Sequence, residues 1–204
     1  EAVENYFGVT PTTFRNTELI YSDAIGKRVY DMGFKTILTE GARHIMGWRS
    51  PNYVYSNDLV PQQSLLLRNY GFSDDIAFRF GDKSWGGWPL TAEKFKTWID
   101  EAEGDYVGLF MDYETFGEHT DASTGIFDFM EALPRIFLSD KEFKFYTPSE
   151  VANAFKPVSE LSVPNPISWA DEERDISPWL GNVMQREAFN KLYKSVFIHV
   201  RCRV

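Results

Sequence analysis

Residues 105–111, DYVGLFM, form an apolar run of strand length that stops abruptly on Asp112, Glu114, Glu118 and His119. Val107, Leu109 and Met111 point one way from an extended chain and Gly108 and Phe110 the other, so the run reads as a strand buried on both faces. Strands of that kind belong to parallel α/β architectures, where the residues just past the carboxyl ends line the site. The plainer alternative is a solvated acidic loop.

The rest of the chain alternates helix and strand. Residues 11–21 (PTTFRNTELIY) lead to Ser22, an N-cap for a helix carrying Ala24, Ile25, Val29 and Met32 before Gly33, so Glu18 lies in the loop that feeds it. Short strands are expected at 34–40, 53–56, 75–80 and 142–146. Thr91 caps a helix with Phe95, Trp98, Ile99 and Ala102 on one face, and residues 125–133 are weakly helical. Thr147, Pro148, Ser149 and Glu150 spell a capping box that opens another helix, and a last one covers 182–194. This order implies a mainly parallel sheet wrapped by helices, as an open doubly wound sheet or a barrel. Loops after strands share one rim in both, and Glu18 and Asp112 can meet there.

Composition narrows the partners. At 204 residues, 43% of them hydrophobic, the chain can bury a core and suits one domain plus an appendage. Its net charge of -9 repels phosphate backbones, so nucleic acid is not an expected partner. No apolar run is long enough to span a bilayer, and EAVENYFGVT lacks the pattern of a signal peptide. With Cys202 as its only cysteine, the chain has no disulfide framework and no zinc spacing, which fits a reducing, cytoplasmic setting.

Two carboxylates over a cleft ringed by Trp48, Trp85, Trp88, Trp169 and Trp179 suit cleavage of a glycosidic bond. One protonates the leaving oxygen, and the other attacks the anomeric carbon or activates water. Indole faces match the apolar patches of sugar rings. Any of these tryptophans could instead pack in a core, as expected for Trp98; Trp48, Trp85 and Trp88, beside Gly and Pro, are the loop-borne platform candidates.

Three longer runs carry a resemblance. FRNTELIYSD (14–23), MDYETFGEH (111–119) and WADEERDISPWLGN (169–182) resemble, in order and spacing, signature regions of glycoside hydrolase family 57, most of all its α-amylase branch. The resemblance implies an incomplete, seven-stranded (β/α) barrel followed by a helical region. It also implies action on α-1,4-glucans such as starch, glycogen or maltooligosaccharides, with retention of configuration and without metal or organic cofactor. Residues 1–157 would then be the carboxyl-side portion of the barrel, and 158–204 a linker and the start of the helical region.

By the same resemblance Glu18, within NTEL, matches the catalytic nucleophile, and Asp112, opening DYETFG, matches the general acid/base. Glu114 would support the pair electrostatically, or bond locally. Arg15 would orient Glu18 or make a surface ion pair, and His119 would bind a sugar hydroxyl or hold its turn. Trp169, Asp171, Asp175 and Trp179 would supply substrate subsites, unless the stretch, preceded by VPNPIS, is only a linker. Glu40 and His44, in TEGARH, follow another strand and are secondary candidates, though a Glu and a His four residues apart can also pair locally.

The departures matter too. The family's two upstream signature runs, of His-Gln-Pro and Gly-Asn-x-Glu type, are absent, so the chain resembles a piece that enters the barrel partway and is expected to be inactive alone. The final SVFIHVRCRV turns apolar and basic and is expected to be a non-native end or an edge strand. Other functions stay open. A 4-α-glucanotransferase would differ only in its acceptor. A metal-dependent polysaccharide deacetylase could use Asp112 and His119, but the only other histidines are His44 and His199. A non-catalytic glucan-binding piece is the third.

Overall fold

The computed structural model describes residues 2–201. Its elements run α1 (Ala2–Phe7), β1 (Thr13–Arg15), α2 (Asp23–Asp31), β2 (Thr36–Glu40), α3 (Arg43–Met46), β3 (Tyr55–Asn57), β4 (Val60–Arg68), α4 (Tyr70–Ala77) and α5 (Ala92–Asp100). Then follow α6 (Ile126–Ser139), α7 (Pro148–Ala154), β5 (Glu160–Leu161), α8 (Ser177–Leu180) and α9 (Val183–Arg201). The mixed α/β sheet has the order β1-β2-β4-β3-β5. β1, β2 and β4 are mutually parallel, with Arg15 opposite Leu38 and Glu40 opposite Arg68, while β3 runs antiparallel to β4. Three neighbouring strands therefore end on one rim.

Local chemistry explains most helix starts. The Ser22 hydroxyl accepts from Ile25 N–H at the head of α2, and the Thr91 hydroxyl accepts from Lys94 N–H at the head of α5. Thr147 and Glu150 close a reciprocal capping box on α7, whose first residue is Pro148.

Two large apolar clusters hold the chain, with a smaller third around Val54, Leu66 and Val151. In the first, Tyr21, Val29, Ile37, Leu65 and Leu67 pack with Leu161, Val163 and Ile167, so the chain returns to the sheet after α7. The second lies among α4, α5 and α6, where Phe95 meets both Phe72 and Phe129 edge-on. Fully burying one such side chain contributes about 1.5–3 kcal/mol.

Several expected elements differ. Residues 75–80 are not a strand: α4 begins earlier, because the Asn69 side chain accepts from Phe72 N–H at 3.1 Å and caps it. β4 was not expected, since Pro61 and two glutamines precede its apolar run. Residues 105–111 form no strand and join no ladder. Gly108 O instead accepts from Asn69 N–H at 2.8 Å, and Phe110 bonds through its N–H to the Ser73 hydroxyl and through its carbonyl to Arg68 Nε. Their alternation survives, since Val107, Leu109 and Met111 all pack on the second cluster, but they are half-buried. Residues 142–146 form no strand either; Phe143 packs edge-on against Phe137.

Instead of an edge strand, the chain end is helical through Arg201, and residues 202–204, with Cys202, lie outside the described residues. No helix among the described residues is long and apolar enough to cross a membrane.

Candidate active site

The rim begins just past β1. Asn16 accepts from Thr17 N–H at 3.0 Å and donates its amide to Ile20 O at 3.1 Å, pinching residues 16–20 into a tight turn. That turn forces Glu18 (φ 55, ψ 22) and Leu19 (φ 50) into the left-handed region. Strain of this sort costs on the order of 1–3 kcal/mol per residue and persists only where surrounding contacts hold it. Here the Leu19 side chain is fully buried, and Glu18 O accepts from the Ser168 hydroxyl at 2.8 Å and from Trp169 N–H at 3.1 Å. The side chain is held as well. Trp169 Nε1 donates to Glu18 Oε2 at 2.8 Å.

Beneath this contact lies a buried charge network. Arg68, at the end of β4, reaches Glu40 Oε2 at 3.0 Å, Asp74 Oδ1 at 2.5 Å and Phe110 O at 2.7 Å. Arg174 pairs with Asp74 Oδ2 at 3.1 Å, lies 3.8 Å from Glu40 Oε2, and donates to Trp169 O. Burial pushes the Glu40 carboxyl above its usual range, against the opposing pull of Arg68 and Arg174. Its second oxygen is buried without a hydrogen-bond partner. The guanidinium groups of Arg15 and Arg68 lie 4.9 Å and 5.6 Å from the centre of the Trp169 ring, within cation–π range.

Trp169 and Asp112 line one cleft of about 490 Å³, together with Arg68, Asp74, Met111, His119 and Asp171. Glu18 adjoins it through Trp169. Asp112 precedes a one-turn 3-10 helix (Tyr113–Thr115); its own side chain is exposed and makes no capping bond. The turn closes where His119 N–H donates to Glu114 O at 2.8 Å. Glu114 itself is exposed and is not part of the cleft lining.

The remaining sequence candidates scatter. Glu40 is a buried partner of arginine rather than a lining group. Asp175 faces a second cleft, and the Ser177 side chain and backbone N–H together hold its carboxyl below the usual range. Trp48 is 94% exposed, and neither it nor Trp179, on α8, lines either cleft. Trp85 packs edge-on against Trp98 at 5.8 Å in the second cluster, so it serves the core there as Trp98 does. Among the described residues no three His, Cys, Asp or Glu side chains group as a metal site. Sequence reasoning missed Arg68, Asp74 and Arg174. The clue for Arg68 was available, because LLLR, like LFMD, is an apolar run that ends on a charge.

Comparison with known proteins decides the family. The model of glycosyl hydrolase family 57 matches residues 1–164. The chain belongs to that family. A Methanocaldococcus jannaschii protein named "Putative alpha-amylase" is 48% identical over 188 residues, which is 91% of this chain and 40% of that protein. The chain thus spans well under half the length of this relative. In structure it resembles a 4-alpha-glucanotransferase from Thermococcus litoralis, with a TM-score of 0.66 and 15% identity over 97% of this chain and 30% of that one. A GH57 branching enzyme from Thermococcus kodakaraensis gives 0.67 and 14% over 94% and 48%. At such identities these two likenesses speak for the fold alone.

Proposed function

We propose that this chain carries the reaction centre of a retaining enzyme acting on α-1,4-glucans, as part of a (β/α)7 barrel to which residues 1–157 contribute. The observation that carries the reading is the indole N–H of Trp169 held on the Glu18 carboxylate at 2.8 Å, while Trp169 lines the cleft that Asp112 shares. Strain at Glu18 and Leu19 adds support, because left-handed non-glycine residues cluster at functional positions.

In this scheme the Glu18 carboxylate attacks the anomeric carbon while Asp112 gives its proton to the departing glycosidic oxygen. A glycosyl ester on Glu18 results. Asp112, now ionised, takes a proton from water, whose oxygen attacks the same carbon and expels Glu18. If the hydroxyl of a second glucan replaces water, the same groups perform transfer. Glu114, which does not line the cleft, contributes charge at most, and His119 and Asp171 offer polar contacts to sugar hydroxyls.

The test is turnover of maltoheptaose by the full protein and by Glu18→Gln and Asp112→Asn, with product lengths followed. Loss of turnover in both variants supports the two roles. Shorter products alone mean hydrolysis, and longer ones mean transfer. Wild-type turnover in either variant sinks the assignment of that residue.

A further inference from the structure

A second cleft of about 930 Å³ lies against the first, and the two share Asp74, Glu172 and Arg174 in their linings. The shared wall is a strap, residues 169–174, in which Asp171 (φ 50) and Arg174 (φ 53) adopt left-handed conformations. Arg174 ties the strap down by donating to Trp169 O and by pairing with the buried Asp74. Glu172, which lines both clefts, is exposed.

The lining of the larger cleft suits an uncharged polyhydroxylated chain. It carries three arginines against four carboxylates, a balance that selects neither anion nor cation. Asp74, Arg79, Arg174 and Asp175 are already engaged by protein partners. The side chains of Arg43, Glu172 and Glu173 make no hydrogen bond or ion pair, and neither does the hydroxyl of Tyr70, whose ring lies 5.5 Å from the Arg174 guanidinium; His44 makes no hydrogen bond but lies within electrostatic reach of Asp175. Free donors and acceptors of both kinds beside an aromatic ring are what sugar hydroxyls and sugar faces engage. The volume is also near the upper end of the range for ligand pockets, roughly 300–1,000 Å³.

We infer that this second cleft, around Arg43, His44 and Tyr70, is a remote subsite that holds the part of an α-glucan extending past the Trp169–Arg174 strap, and so sets preference for chain length. The inference rests on the α-glucan reading of the first cleft. Short oligosaccharides fill only the cleft beside Asp112, whereas longer ones cross the strap and gain contacts beyond it.

Calorimetric binding of maltotriose and maltoheptaose to the full protein tests this without depending on turnover. Wild type should bind maltoheptaose about tenfold more tightly than maltotriose, the scale expected of one aromatic contact with hydrogen bonds. Arg43→Ala/His44→Ala, a double change of exposed side chains, should shrink that ratio to about threefold or less, and Tyr70→Ala should act in the same direction. An undiminished ratio in the double variant, with its circular dichroism unchanged, overturns the remote subsite while leaving the first cleft intact. Binding of neither sugar by wild type overturns the α-glucan reading, and this inference with it.

Discussion

The two candidate catalytic carboxylates are held in opposite ways. Glu18 is locked: its backbone is strained and its carbonyl accepts two hydrogen bonds, its carboxylate accepts an indole N–H, and the indole lies against Arg68, which is anchored to Glu40 and Asp74. Asp112 ends an irregular segment and its exposed side chain has no protein partner. The contrast matches what the double displacement asks of each group. A nucleophile must meet one carbon along one line, so its freedom is a loss. An acid/base must give a proton to a departing sugar oxygen and later take one from water, two partners in slightly different places, so freedom there costs less.

The sharpest way to break this contrast is to remove each carboxylate in turn. Glu18→Gln should lower kcat by about 10⁴–10⁶-fold, as losing a nucleophile does, and an activated aryl glycoside should not restore it. Asp112→Asn should cost about 10²–10⁴-fold on glucan, and recover most of the first step with an aryl glycoside whose leaving group needs no proton. Equal losses on both substrates would mean that the roles are not divided in this way.

Stability should divide along the same line. Arg68→Met leaves the buried Glu40 with only the more distant Arg174 and takes one of its two arginines from Asp74, and breaking a buried pair in this manner costs about 3–5 kcal/mol. Asp112→Ala, at an exposed side chain without a partner, should stay within about 0.5 kcal/mol. Urea unfolding of the two variants beside wild type reads both. Comparable losses would show that the Asp112 side is as tightly built as the Glu18 side.

Trp169→Phe sharpens the comparison at one atom. It keeps a ring over the arginines and deletes only the N–H that holds Glu18 Oε2. A hydrogen bond to a charged group contributes about 1.5–3 kcal/mol, so kcat should fall about 10- to 100-fold. KM for maltoheptaose should stay near wild type. If KM rises and kcat does not fall, Trp169 is a sugar platform and not the keeper of Glu18.

How much of this was legible follows from what each feature depends on. Caps at Ser22, Thr91 and Thr147 are local chemistry, and all three are where the sequence puts them. The alternation of Val107, Leu109 and Met111 was legible as a buried face, but not the missing ladder: Asn69, Ser73 and Arg68 supply the hydrogen bonds that a neighbouring strand would have given. β4 was hidden because Pro61 and its glutamines read as loop, while parallel pairing with β2 buries the leucines that follow. At the site, Glu18 and Asp112 were visible through the runs that resemble family 57. The support under Glu18 was not, since Trp169 lies 151 positions away and the Arg68–Glu40 contact exists only through the register of two strands. Loop position alone could not separate Trp169 from Trp85, one lining the cleft and the other packed in a core.

The smallest effect concerns Glu40, the deepest group on the locked side. Burial raises its folded pKa above the ordinary 4.5, so the folded protein keeps this proton when the unfolded chain has released it. The stability it contributes is therefore fully present below pH 4.5 and is lost as pH rises through the folded value, with a slope of at most about 1.36 kcal/mol per pH unit. Glu40→Gln cannot titrate. Subtracting its unfolding free energy from that of wild type across pH 4 to 8 cancels the other carboxylates and should leave a difference that falls with pH. A flat difference would mean that Arg68 and Arg174 offset the whole cost of burying the charge. Glu18 would then stand on a floor that costs nothing to ionise, and the contrast with Asp112 would be one of geometry alone.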